Sequence, residues 1–141
     1  MPPGTAIELR LKTAGFKLTP PRRAVLRVFA HEHEHLGPDE ILKRGRKFCP
    51  RLGRATVYRT LELLTKIGVM RPIFLSGGRP AFTRVEGGHH HLVCSHCDRI
   101  EELPGETLAT AVQRLARKTG FEIRSQLLEV YGLCAKCRRR K

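Results

Sequence analysis

Residues 69–85 read Val69-Met-Arg-Pro-Ile-Phe-Leu75, then Ser76-Gly77-Gly78, then Arg79-Pro-Ala-Phe-Thr-Arg-Val85. Two short apolar runs around a Gly-Gly turn predict a β-hairpin. Four helical signals stand ahead of it. In residues 5–14, Ile7, Leu11 and Ala14 recur at i, i+4 and i+7, and Gly15 can close the helix. Thr19-Pro20 has the form of an N-cap with proline in the first turn, followed by Val25, Val28 and Phe29 as an apolar face. Gly37-Pro38-Asp39 opens a third, shorter helix with Ile41 and Leu42. The fourth runs from about Arg54 to Ile67; Val57, Leu61 and Leu64 form its inward stripe, and Thr56, Arg59, Thr60 and Leu63 its other face. Helices followed by a hairpin describe a winged helix, a variant of helix-turn-helix whose fourth helix here would enter the major groove.

The pattern changes after Glu86-Gly87-Gly88, read as a hinge. His89 to Val93 and Arg99 to Leu103 are expected strands. Pro104-Gly105 starts a helix with Leu108, Val112 and Leu115 on one face and Gly120 at its end. A further strand is expected from Phe121 to Tyr131, with Phe121, Ile123 and Leu127 sharing a face. The expected architecture is therefore α+β: a winged-helix domain over residues 1–85, a hinge at 86–88, and a small α/β domain over 89–141.

The 141 residues carry 27 Lys and Arg against 13 Asp and Glu, a net charge of +14. The excess is spread, with 14 basic against 6 acidic side chains in residues 1–70 and 13 against 7 in 71–141. Such a balance favours a polyanion partner, above all nucleic acid. No apolar run approaches the roughly 18 residues of a membrane span. Met1-Pro-Pro-Gly-Thr5 lacks the basic and apolar regions of a signal peptide. A cytosolic location is expected, where paired cysteines serve as metal ligands more often than as disulfides.

Two such pairs are present, Cys94-x-x-Cys97 and Cys134-x-x-Cys137, separated by 36 residues. Together they suit a closed, tetrahedral four-thiolate zinc site that clasps the second domain. A dithiol redox centre would need a thioredoxin-like βαβ setting, which the pattern lacks. Cys49 stands alone before Pro50 and receives no role. On a strand, His89 and His91 share a face and His90 points the other way. His89 and His91 can therefore share a second metal, with Glu102 from the next strand and one of His31, His33 or His35 as further ligands. His96 is expected to be a solvated turn residue.

Gly15-Phe-Lys-Leu-Thr-Pro-Pro-Arg22, Arg54-Ala-Thr-Val-Tyr-Arg-Thr-Leu61, His89-His-His-Leu-Val-Cys-Ser-His-Cys97 and Tyr131-Gly-Leu-Cys-x-x-Cys137 closely resemble the ferric uptake regulator (Fur) family, in order and spacing, over almost the whole chain. The resemblance implies a cytosolic homodimer of metal-dependent transcriptional regulators that binds double-stranded operator DNA. It places structural Zn2+ on Cys94, Cys97, Cys134 and Cys137, and a regulatory divalent metal on His35, His89, His91 and Glu102. It places DNA contacts on Tyr58 and Arg59, with Arg54 and Thr56 on the same helix and Lys17 and Arg22 flanking it. Two positions depart from the family pattern. Thr83 stands where iron and peroxide sensors carry a carboxylate and many zinc sensors a cysteine. Gln126 stands where a further family site uses histidine. Peroxide sensors also carry Asp at the position of Glu102, so peroxide sensing is disfavoured. The regulatory metal is left between Fe2+ and Zn2+, with Mn2+ or Ni2+ able to bind; three imidazoles and a carboxylate suit zinc.

The leading expectation is thus a metal-responsive repressor of metal-homeostasis genes, with no membrane partner and no small-molecule substrate. A zinc-ribbon protein binding RNA or ribosomes would explain charge and cysteines, but not the 54–61 helix, its wing, or the His89/His91 pair. A zinc hydrolase would need a general base that the sequence does not supply, so no enzyme is expected.

Overall fold

The computed structural model describes residues 3–30, 35–85, 90–123 and 126–140, with side chains from residue 6 onward. His31, His33, His89 and the expected hinge at 86–88 lie outside the described residues. The chain divides into two units, Met1–Phe74 with Gly78–Val85, and Leu75–Gly77 with Glu86–Lys141.

The first unit contains α1 (Pro3–Thr13), α2 (Pro20–Val28), α3 (Pro38–Gly45), α4 (Arg54–Lys66) and the hairpin β1 (Met70–Phe74) and β2 (Pro80–Arg84). Local chemistry sets each start. The Thr19 side chain accepts the Arg22 N–H and caps α2, with Pro20 already holding the φ a helix needs. In α3, Asp39 and Glu40 occupy the first turn and Lys43 and Arg44 the last, each sign at the end of the helix dipole that favours it. The apolar faces then close on one another: Ile7 and Leu11, Val25 and Phe29, Ile41, Leu52, Val57, Leu61 and Leu64 are all buried in one cluster. Thr60 and Leu63, expected on the outer face of α4, are buried as well. The Thr60 hydroxyl avoids an unpaired burial by donating to the Thr56 carbonyl at 2.7 Å.

β1 and β2 pair antiparallel from Met70 opposite Arg84 to Phe74 opposite Pro80. Their connection needs two consecutive residues at positive φ, which Gly77 (72°) and Gly78 (75°) supply without strain. The outer edge of β2 is also engaged: Leu36 and Phe82 exchange both backbone bonds, at 3.0 and 2.8 Å. That antiparallel bridge ties the wing to the start of α3 and carries His35 to a position opposite Thr83.

The second unit holds a three-stranded sheet in the order β4-β3-β5, formed by β3 (His90–Cys94), β4 (Ile100–Leu103) and β5 (Glu129–Gly132). β3 is central, antiparallel to β4 and parallel to β5. A parallel neighbour requires a crossover, which a 3-10 turn at Gly105–Leu108 and α5 (Ala109–Thr119) provide. Gly120, at φ 72°, ends α5 in the left-handed conformation. A last short helix, α6 (Ala135–Arg138), follows β5. Of the strand expected from Phe121 to Tyr131, the described residues form a strand at Glu129–Gly132. Among the described residues, β5 pairs with β3 from Glu129 opposite His91 to Gly132 opposite Cys94. Among the described residues of this unit, burial is confined to His90, His91, Val93, Cys94 and Cys137. α5 buries none of its residues.

Candidate metal centres and nucleic-acid face

Cys94 ends β3 and Cys97 lies in the turn after it, while Cys134 caps α6 and Cys137 sits inside that helix. Parallel pairing of Cys94 with Gly132 brings the two cysteine pairs to the same end of the sheet. All four sulfurs lie within 4.8 Å of one another. Sulfurs 2.3 Å from a tetrahedral zinc stand about 3.8 Å apart, and Cys97 Sγ and Cys134 Sγ are separated by 3.8 Å. None of the four is joined in a disulfide.

Their proton affinities are pulled apart. The Cys134 backbone N–H donates to Cys94 Sγ at 3.4 Å. That bond, with the N–H groups of Cys97 and His96, lowers the Cys94 thiol to about 6. The Cys137 N–H lowers Cys134 in the same way. Burial, reinforced by neighbouring sulfurs, pushes Cys137 up to about 12. One sulfur is thus ready as a thiolate near neutral pH, while another gives up its proton only to a cation. This donor set fits a tetrahedral thiophilic metal that neutralises all four. Asp98 follows Cys97 at φ 60° and accepts both the N–H and the hydroxyl of Ser76, at 2.8 and 3.0 Å.

One strand register earlier, His91 is paired across the sheet with Glu102. An imidazole nitrogen of His91 and a carboxylate oxygen of Glu102 lie within 4.8 Å, and His91 is buried. His90 points away from that face, as strand alternation requires. Its Nδ1 accepts the Leu128 N–H at 3.1 Å, so the ring fastens β3 to the segment leading into β5. That structural use of His90 was invisible in a run of three histidines, because it depends on a backbone N–H 38 residues away. Thr83 is buried in β2, and Gln126 donates to the Gly105 carbonyl at 3.3 Å.

In the first unit, Lys17, Arg22, Thr56 and Arg59 line one open concavity of about 490 Å³ between the α1–α2 loop and α4. Arg22 shapes it by donating to the Lys17 carbonyl at 2.7 Å. Tyr58 and Arg54 lie outside that concavity, on a neighbouring strip of α4 one helical turn apart. Tyr58 is exposed, and Arg54 pairs with Asp39 of α3. Asp39 was not among the expected site residues; its only sequence signal was its place at the start of α3.

The profile of the ferric uptake regulator family matches residues 13–131. The ferric uptake regulation protein of Bacillus subtilis (strain 168) is 35% identical over 136 residues, spanning 93% of this chain and 91% of that protein. The peroxide operon regulator of the same organism is 29% identical, over 93% of this chain and 90% of its own length. Among solved structures, the ferric uptake regulator from Pseudomonas aeruginosa with manganese superposes with a TM-score of 0.79 at 25% identity, covering 91% of this chain and 97% of that one. Among the described residues, no helix is long and apolar enough to cross a membrane. The chain belongs to the ferric uptake regulator family, whose members are metal-responsive transcriptional regulators and not enzymes.

Proposed function

We propose that this chain is a cytoplasmic, homodimeric repressor that binds operator DNA when a regulatory divalent metal is present. The observation that carries the reading is the double use of β3. Cys94 at its end belongs to the four-thiol cluster, and His91, three residues earlier, is paired with Glu102.

Cys94, Cys97, Cys134 and Cys137 would hold a permanent zinc. His89, His91 and Glu102 from the second unit, joined by His35 from the first, would hold the regulatory metal. When bound, that cation supplies charge and coordination only. Filling of that site would be the event that raises DNA affinity. Three imidazoles and a carboxylate, with Thr83 in the wing, fit tetrahedral zinc directly; iron(II) needs water to complete its shell. In the first unit, α4 would enter the major groove. Arg59 and Tyr58 reach base edges, while Lys17, Arg22, Arg54 and Thr56 contact the backbone or the adjacent minor groove. Dimerisation is supported by the apolar surface of the second unit: Leu115 is 55%, Phe121 73% and Leu127 49% exposed, a combination expected of a face that a second copy covers.

The test is DNA affinity across a metal panel. Protein carrying one zinc per chain is mixed with iron(II), manganese, nickel or further zinc and titrated with a duplex selected from a random library. Binding that appears only with an added metal supports the reading and names the metal. Affinity indifferent to every metal overturns it.

A further inference from the structure

Arg54 is the first residue of α4, and that helix's first turn contains no acidic side chain. A cation at the positive end of a helix dipole is disfavoured, so Arg54 needs an anion. Asp39 supplies it: Arg54 Nη1 donates to Asp39 Oδ1. The carboxylate and then the Tyr58 phenol, one turn further along α4, favour the charged guanidinium. Asp39 has no matching need, because it already sits in the first turn of α3, where the dipole stabilises it. The neighbouring cations are committed within their own segments: Arg44 to Glu40 at 2.8 Å and Arg46 to the Leu52 carbonyl at 3.0 Å. The Arg54–Asp39 pair instead joins two helices and is the more open to solvent, its side chains 62% and 80% exposed against 37% and 43% for Arg44 and Glu40. Exposed pairs of this kind stabilise by about 0–1 kcal/mol, so little resists their exchange for a stronger anion.

We propose that Asp39 and Arg54 form an exchangeable latch: Arg54 leaves Asp39 for a DNA phosphate when α4 docks, and Asp39 sets DNA affinity by competing for it. This rests on the reading of α4 as the DNA-binding helix. Asp39 is then an affinity-setting residue that never touches DNA. Its removal strengthens binding to every sequence alike, because phosphate contacts carry no base information.

A double-mutant cycle tests the latch. DNA affinity is measured over a range of salt for metal-loaded wild type, Asp39→Asn, Arg54→Ala and the double variant, using the duplex selected above and a scrambled one. Thermal melts confirm that each variant folds, and Asp39→Ala serves as a second neutral replacement. Asp39→Asn is expected to bind both duplexes about two- to five-fold more tightly per chain, with the salt slope unchanged. Arg54→Ala is expected to bind more weakly, with a slope shallower by about 0.9 per chain. The double variant is expected to match Arg54→Ala. Weakened or unaltered binding by Asp39→Asn overturns the latch. So does equal tightening in the Arg54→Ala background, which would mean that Asp39 acts on DNA by its charge alone. Failure of the wild type to bind any duplex with any metal would refute the DNA reading itself, a distinct outcome.

Discussion

The two units solve the same stability problem in different ways. The first closes on itself: four helices and a hairpin bury Leu11, Phe29, Ile41, Leu52, Val57, Leu61 and Leu64 in one cluster. Among the described residues, the second buries two histidines, one valine and two cysteines, and leaves Leu115, Phe121, Leu127, Val130 and Tyr131 exposed. A unit so poor in buried apolar surface needs other sources of stability. On the proposed reading these are a metal held by the cysteine cluster and a second copy covering the apolar face. The first unit is thus a self-sufficient scaffold, and the second, on the proposed reading, draws part of its order from what it binds.

The largest expected effect separates the halves through the metal. Replacing Cys94 or Cys137 with serine is expected to abolish bound zinc, whose contribution to folding is on the order of 10 kcal/mol. Hydrogen exchange is expected to show loss of protection across β3, β4 and β5 with α1 to α4 retained. Equal loss in both halves would break the comparison. Next in size, Leu64→Ala or Leu11→Ala, both fully buried, is expected to destabilise the first unit by about 2–5 kcal/mol while zinc content stays at one per chain.

The four helices of the first unit were legible because apolar periodicity, Thr19-Pro20 and Gly37-Pro38-Asp39 all point the same way, and Gly77-Gly78 marks a turn needing positive φ twice. The convergence of the four sulfurs was legible because two Cys-x-x-Cys pairs at such a spacing have few uses besides a shared metal. Features that depend on long-range partners were not. Thr60 is buried against the grain of its polarity, rescued by a bond to the Thr56 carbonyl. The alternation of Phe121, Ile123 and Leu127 mimics a strand, yet among the described residues the ladder begins at Glu129. The pairing of Arg54 with Asp39 spans 15 residues with no periodic signal.

A smaller effect follows from the spread of thiol proton affinities. In metal-free protein, the Cys94 thiolate is present above about pH 6 and is lost as pH falls through that value. Zinc uptake by reduced, metal-free protein is therefore expected to slow over that window, in a stopped-flow measurement with a zinc-sensitive dye. A pH-independent rate would show that Cys94 is not the first ligand to engage. The smallest expected effect lies in the self-sufficient half. Thr19→Ala removes the α2 cap and is expected to cost about 1 kcal/mol in a denaturant titration, with metal content and metal response unchanged.

The central claim is that β3 carries a permanent metal at one end and an exchangeable one three residues away. It is tested most directly by His91→Ala, measuring zinc content and metal-dependent DNA affinity on the same sample. One tightly held zinc per chain is expected, as in the wild type, together with DNA affinity that no longer rises with any added metal. A variant that loses the zinc as well, or one that still tightens on DNA when metal is added, would contradict it.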